Sequence, residues 1–195
     1  MSVEEKKEEK RRKILESATK LFLKSRIHNV SIKDISKDAG VALGTVYVYY
    51  KNKDELLLEV FKRFSEEQTK KALKNIDDSL SLKEKILLLF SYYINDDEKE
   101  FINLYSDYYM ICMSSYNQDQ QISITRDYGE LFNIIESAIK HSIDTQEIKY
   151  KDAYKLADSF CAVIDGLFFY SVIIKDYNFI SKLNKYLDIQ IELLS

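Results

Sequence analysis

The chain has 195 residues, 46% of them hydrophobic, which is enough apolar material for one sizeable core or two small ones and excludes a largely disordered protein. It holds no proline, four glycines and two cysteines; Cys112 and Cys161 stand apart from each other and from His28 and His141, so neither a disulfide framework nor a metal site is expected. The net charge of −3 hides a division: residues 1–64 carry 15 Lys or Arg against 10 Asp or Glu, whereas residues 65–195 carry 14 against 22.

With so few breakers, the hydrophobic pattern predicts an all-α fold. No charged start leads into an apolar signal core, and the longest apolar stretch, Phe160 to Ile174, is interrupted by Asp165 and too short to span a bilayer; a cytoplasmic protein with no membrane partner is expected. Order is expected beyond the first dozen residues, with a first helix over Lys13 to Lys24. The preceding run Lys6, Lys7, Lys10, Arg11, Arg12 and Lys13 offers an arm for phosphate or a minor groove, diluted by Glu4, Glu5, Glu8 and Glu9.

From Ser31 to Lys53 the spacing describes two short helices joined by a glycine turn, a helix-turn-helix. Ser31 is a good N-cap, and Asp34 places a carboxylate at the positive helix end. Ile32, Ile35, Ser36 and Ala39 form an inward stripe, leaving Lys33, Lys37 and Asp38 to solvent. Gly40 ends this helix, because glycine takes the left-handed conformation without a Cβ penalty. Val41 plugs the turn, and a second helix runs from Ala42 to Tyr50 with Val46 inward and Thr45, Tyr47 and Tyr49 on other faces. Asn52 caps the next helix, with Glu55 at the capping-box position.

The string S-I-K-D-I-S-K-D-A-G-V-A-L-G-T-V-Y-V-Y-Y-K-N-K-D-E-L-L, preceded by I-L-E-S-A-T-K-L-F-L, resembles the tetracycline-repressor (TetR) family of transcription regulators over about residues 13 to 64. The resemblance implies a three-helix DNA-binding head, residues 1–53 with the helix-turn-helix at about 31–50, and a ligand-binding and dimerisation bundle, residues 54–195. It implies that Ser31, Thr45, Tyr47, Tyr49 and Lys53 contact phosphate or groove, while Ala42, Leu43, Gly44 and Val48 border the bases. Positions 43 and 48, often polar or basic in relatives, are Leu and Val here, which donate no hydrogen bonds to base edges; thymine methyls and DNA shape are left to carry the reading, and an A·T-rich operator is expected. The basic head on an acidic body fits attraction for phosphate at one end.

Past the head, helices are predicted near 54–75, 81–94, 98–115, 120–143, 151–175 and 178–194, with Ser81 and Asn178 as caps. The first of them starts against the head and continues into the body, a geometry suited to transmitting a tilt. Ten aromatic residues fall between Phe90 and Phe132. Each has a use in core packing, but tyrosines also offer an apolar face with a polar tip. A pocket for a hydrophobic effector, either an aromatic or cationic compound or an acyl chain, is expected from Tyr92, Tyr105, Tyr108, Tyr109, Met113, Tyr128, Phe132 and Phe168, with Met110 and Cys112 as adaptable walls.

In the last two helices, apolar residues occupy more than one face, including Phe179, Leu183, Tyr186, Leu187, Gln190, Leu193 and Leu194, so a homodimer through a four-helix interface is expected. Asp165 has three available roles there: the interface, the ligand or solvent. Gly166 permits close helix approach. A two-fold dimer implies a palindromic operator on double-stranded DNA, and the function expected is a repressor released by its effector. A DNA-binding adaptor whose acidic body recruits a protein is the alternative. No nucleophile, metal or phosphate-loop pattern surrounds either histidine, so neither an enzyme nor a cofactor is expected.

Overall fold

The computed structural model describes residues 2–94, 98–114 and 118–195, leaving aside the side chains of residues 98–99 and 118–128. Its helices are α1 (Val3–Lys24), α2 (Ile32–Asp38), α3 (Leu43–Tyr49), α4 (Lys53–Leu73), α5 (Leu82–Ser91), α6 (Glu98–Ser114), α7 (Gln118–Asp144), α8 (Ala153–Ile173) and α9 (Phe179–Leu194), with a 3₁₀ turn at Ile27–Asn29. The fold is all-α among the described residues, and the boundaries fall within a few residues of those predicted, except at the start.

There α1 begins at Val3 instead of near Lys13. The charged run is a helix, not an extended arm. Ser2 and Glu5 form a capping box at its start, and Arg12 pairs with both Glu9 and Glu16 at 2.8 and 2.7 Å. The alternation of Glu with Lys and Arg that dilutes the charge also supports an exposed helix through neighbours three and four residues apart.

The chain forms two compact units. The first comprises Met1–Glu67 and Asp97–Ser114, the second Gln68–Asp96 and Ser115–Ser195, so α4 contributes to both and α6 belongs with the head. In the first unit, Ile14, Ala18 and Phe22 of α1 and Ile35, Val46, Leu56, Leu57 and Val60 are fully buried. Polar ties register α1 against α2: Ser17 Oγ donates to the Ile35 carbonyl at 3.1 Å and Lys20 pairs with Asp38 at 2.7 Å. The rings of Phe61 on α4 and Tyr108 on α6 stack at 3.8 Å.

The second unit packs α5 on α9, α7 on α8, and α8 on α9. Phe90, Phe168 and Phe179 meet at its centre, the last two stacked at 3.9 Å. Ser81 and Glu84 form a capping box before α5, and the Leu82 N–H donates to the Glu147 carboxylate. At 21 residues, α8 is long and apolar enough to cross a membrane by length and composition, longer than the Phe160 to Ile174 stretch considered from sequence. It is nevertheless a packed helix, with Phe160, Cys161, Ile164 and Phe168 buried against its neighbours.

Candidate functional site

The turn between α2 and α3 is fixed by local chemistry. Ser31 Oγ accepts from the Asp34 N–H at 3.1 Å, while the Asp34 carboxylate accepts from the Ser31 N–H and hydroxyl at 3.0 and 2.5 Å. These bonds hold the Asp34 carboxyl below its ordinary range. At the other end Gly40 has φ +66°, Val41 N–H donates to the Ser36 carbonyl and Gly40 N–H to the Lys37 carbonyl. That pair is the Schellman closure, which needs a residue at ease with positive φ.

Helix α3 is short, so its placement depends on what surrounds it. Val46 is fully buried and Tyr50, one turn on, is 4% exposed. Tyr49 donates its hydroxyl to the Lys7 carbonyl on α1 at 3.0 Å. Lys53 spends two of its N–H donors on the Ile27 and Val30 carbonyls of the 3₁₀ turn, at 2.6 and 3.0 Å. The same turn is also held by α6: Arg26 Nε donates to Asp107 Oδ1 at 2.8 Å, Arg26 Nη2 to Ser106 Oγ at 3.0 Å and the Ile27 N–H to Asp107 Oδ2 at 2.6 Å. Asp107 is buried, and this clamp carries no signal in local sequence, because its partners lie about 80 residues apart.

Of the residues expected to meet DNA, Ala42, Leu43, Gly44, Tyr47 and Val48 are exposed, and Thr45 is partly so. They occupy the side of α3 away from Val46. Among the described residues the hydroxyls of Thr45 and Tyr47 make no hydrogen bond, whereas Ser31, Tyr49 and Lys53 are engaged within the chain.

The eight residues expected around a ligand are divided. Tyr105, Tyr108, Tyr109 and Met113 lie on α6 in the first unit; Tyr92, Phe132 and Phe168 lie in the second. The side chain of Tyr128 lies outside the described residues. Tyr105 and Tyr109 stack at 6.2 Å, and Met110 and Met113 stand in solvent. In the second unit Tyr92 accepts from Asn75 Nδ2 at 2.8 Å, Phe132 packs on Tyr154 at 5.0 Å and Phe168 belongs to the core described above. The density of aromatics along the sequence runs over three consecutive helices, of which α6 joins the first unit and α5 and α7 the second.

A cavity of about 400 Å³ does open in the second unit. The end of α4 and the following turn supply Leu73, Ile76, Asp77 and Asp78; α5 supplies Lys85, Ile86 and Leu89; α7 supplies Asn133 to Ile135, Ser137, Ala138 and His141. None of the seven expected ligand residues whose side chains are described lines it. Lys85 was legible: it stands three residues after Leu82 and four before Leu89, inside the apolar stripe of α5.

On the outer side of α8 and α9, Phe169, Tyr170, Ile173, Ile174, Ile189 and Leu193 are exposed. Phe179, Leu183 and Leu187, expected at a dimer face, are fully buried within the chain itself; α9 turns that stripe onto α5 and α8. Asp165 remains open to solvent, yet the apolar atoms crowding it push its carboxyl up to about 6.

The family model described as bacterial regulatory proteins, tetR family, matches residues 14–60. The fatty acid metabolism regulator protein of Bacillus subtilis is 26% identical over 141 residues, 70% of this chain and 69% of that protein. A putative transcriptional regulator from Saccharomonospora viridis, solved with choline, shares the fold with TM-score 0.75 and 22% identity over 93% of this chain and 95% of its own. The regulator FadR of B. subtilis, solved with stearoyl-CoA, does so with TM-score 0.66 and 20% identity over 94% and 98%. These relatives are named as regulators and not for catalysis, and residues 14–60 form a DNA-binding region of the TetR type, which makes the chain similar to DNA-binding regulators rather than to enzymes.

Proposed function

We propose that the chain is a homodimeric repressor that reads a palindromic operator with α3 and is released by a hydrophobic small molecule. The outward face of α3 carries the reading. Leu43, Gly44, Tyr47 and Val48 face solvent, and a Cβ added at Gly44 meets nothing within 4 Å. No packing within the chain asks for glycine there, and glycine weakens a helix; close approach of DNA gives it a use. Thr45 and Tyr47 offer hydroxyls to phosphates, Ala42 and Gly44 border the bases, and Leu43 and Val48 favour thymine methyls, hence an A·T-rich site. Ser31, Tyr49 and Lys53 fix the reading helix and approach the phosphates from those positions.

Residues 1–53 serve DNA binding, with the helix-turn-helix at about 31–50, and residues 54–195 serve ligand binding and dimerisation. The exposed apolar residues of α8 and α9 support a homodimer, and the open space at Gly166 supports close approach of a second copy. Two heads related by two-fold symmetry require a two-fold symmetric site. The name of the B. subtilis relative and the stearoyl-CoA and choline in similar folds support a small effector of acyl-chain or cationic kind, acting in the cytoplasm. A cavity favours this sensor over an adaptor that recruits a protein. The effector lowers DNA affinity by the same coupling free energy by which DNA lowers effector affinity. The test is recovery of genomic fragments on purified protein, then salt-dependent affinity with and without hydrophobic metabolites. A symmetric site released by one fraction is expected; no enriched site at moderate salt removes the reading.

A further inference from the structure

We propose that the cavity bounded by the end of α4, α5 and α7 binds an amphiphilic carboxylate, with its charged end against Lys85 and its hydrocarbon against Ile86, Leu89 and Ile134. The proposal rests on the reading of the chain as a ligand-released regulator and names the ligand's chemistry.

Lys85 is 5% exposed and lines the cavity; its ammonium makes no hydrogen bond or ion pair among the described residues, and its Nζ, unlike Tyr50 Oη and Ser142 Oγ, is not sealed from solvent. An ammonium on a residue this buried, with no counter-charge in contact, is left short of partners, and in folded proteins such groups are paired or hydrogen-bonded. The cavity supplies the missing half of that arrangement: a space beside the cation, with Ile86, Leu89 and Ile134 as apolar wall and Asn133, Ser137 and His141 as polar fixtures. A ligand with one anionic group and a hydrocarbon body satisfies both features at once.

The sign of the ligand charge follows from where the charges sit. Asp77 and Asp78 also line the cavity, but both are exposed. Asp77 Oδ1 already accepts from the Ser79 N–H and hydroxyl, and Asp78 Oδ1 lies 3.8 Å from His141 Nδ1. Lys85 and Asp77 feel each other through space without forming an ion pair. Water screens the two exposed carboxylates more than it screens the charge on Lys85, the least exposed of the three. The inner end of the cavity therefore favours an anion. The carboxylates at its mouth disfavour a second negative group, so the ligand carries a single one.

Size narrows the class further. At the ~30 Å³ that a water-sized group occupies in the liquid, about 400 Å³ holds about a dozen such groups. A free medium-chain acid fits within that volume.

The test titrates the full-length protein calorimetrically with decanoate, decanol and decyltrimethylammonium, beside Lys85→Met and Lys85→Arg. Decanoate is expected to bind about tenfold to a hundredfold tighter than decanol, the worth of a charge-assisted hydrogen bond. Lys85→Met should lose that preference and keep its decanol affinity, since an unbranched apolar side chain in place of a buried charge leaves the fold intact. Lys85→Arg should keep the preference. Unchanged decanoate affinity in Lys85→Met, or tighter binding of decyltrimethylammonium than of decanoate, overturns the site. Adding the same probes to a protein–operator complex separates this site from the regulator reading. Lys85-dependent decanoate binding that leaves DNA bound upholds the site and removes its effector role; DNA release by another compound, with no decanoate binding, upholds the regulator and removes the site.

Discussion

Leu43, Tyr47 and Val48 on α3 and Phe169, Ile173 and Leu193 on α8 and α9 are exposed over the same range, 44% to 78%, yet their helices are held in opposite ways. Helix α3 is secured by Val46 and the Tyr49 bond to Lys7, between an α2 capped by the Ser31 box and an α4 whose Lys53 is bonded to the 3₁₀ turn. Helices α8 and α9 are secured by an apolar core of Phe160, Ile164, Phe168 and Leu183. Exposed apolar surface supports the proposed partner in both places, and the surrounding charge distinguishes the two. The first 64 residues carry an excess of five positive charges and the remainder an excess of eight negative ones; a polyanion is welcomed by the first and repelled by the second.

The largest expected effect breaks the second surface. Ile173→Glu combined with Leu193→Glu places like charges on the face proposed to meet its copy, and should convert a dimer to monomers in sedimentation experiments. Affinity for the full palindrome should fall by about a hundredfold or more, because the second half-site is then no longer bound at high effective concentration. A dimer that survives both substitutions would show that copies do not meet through this face.

Next in size is the clamp behind the first surface. Asp107→Ala leaves the Arg26 guanidinium and the Ile27 N–H without their acceptor. Removing one partner of a buried ion pair costs roughly 3–5 kcal/mol; Arg26 is 36% exposed, which brings the expectation to about 2–3 kcal/mol after screening. Urea unfolding should report that loss, and operator affinity should fall with it. Full stability in the variant would show the clamp to be incidental.

Gly44→Ala sharpens the contrast at smaller cost. A methyl group there meets open space, so thermal stability should hold or rise by up to about 1 kcal/mol. Operator affinity should fall about tenfold, as expected where a backbone approaches closely. Unchanged DNA binding would leave Gly44 without a role on α3.

The head was legible because its signals are short-range. Ser31 and Asp34, Gly40 and Val41, and Asn52 and Glu55 lie within a few residues of one another, and each does locally what its side chain permits. The body was legible as helices but not as a site. Tyr105 and Phe168 read alike in sequence, yet α6 joins the head unit and α8 the other; periodicity gives the face of a helix, not its neighbour. The start of α1 was misjudged because mixed charges read as a solvated tail, although the same charges at spacings of three and four support a helix.

The smallest expected effect tests how closely the outer face of α8 is covered. The Asp165 carboxyl is pushed up to about 6 from the ordinary aspartate range near 4, with burial among apolar atoms as the cause. A carboxyl raised in the folded state disfavours folding when charged. That cost is absent below about pH 4, sets in as pH rises and is complete above about pH 6. Asp165→Asn removes it, so the variant should be the more stable chain at pH 7, and the difference should close on acidification toward pH 4. Because the group stays open to solvent, the gain is expected to be about 1 kcal/mol or less. A second copy seated on this face would crowd the carboxyl further, so association of the native chain should also tighten between pH 7.5 and 5 while that of the variant stays level. Parallel pH profiles for the two proteins would mean that Asp165 remains in water in the assembled protein, and would move the interface away from that turn of α8.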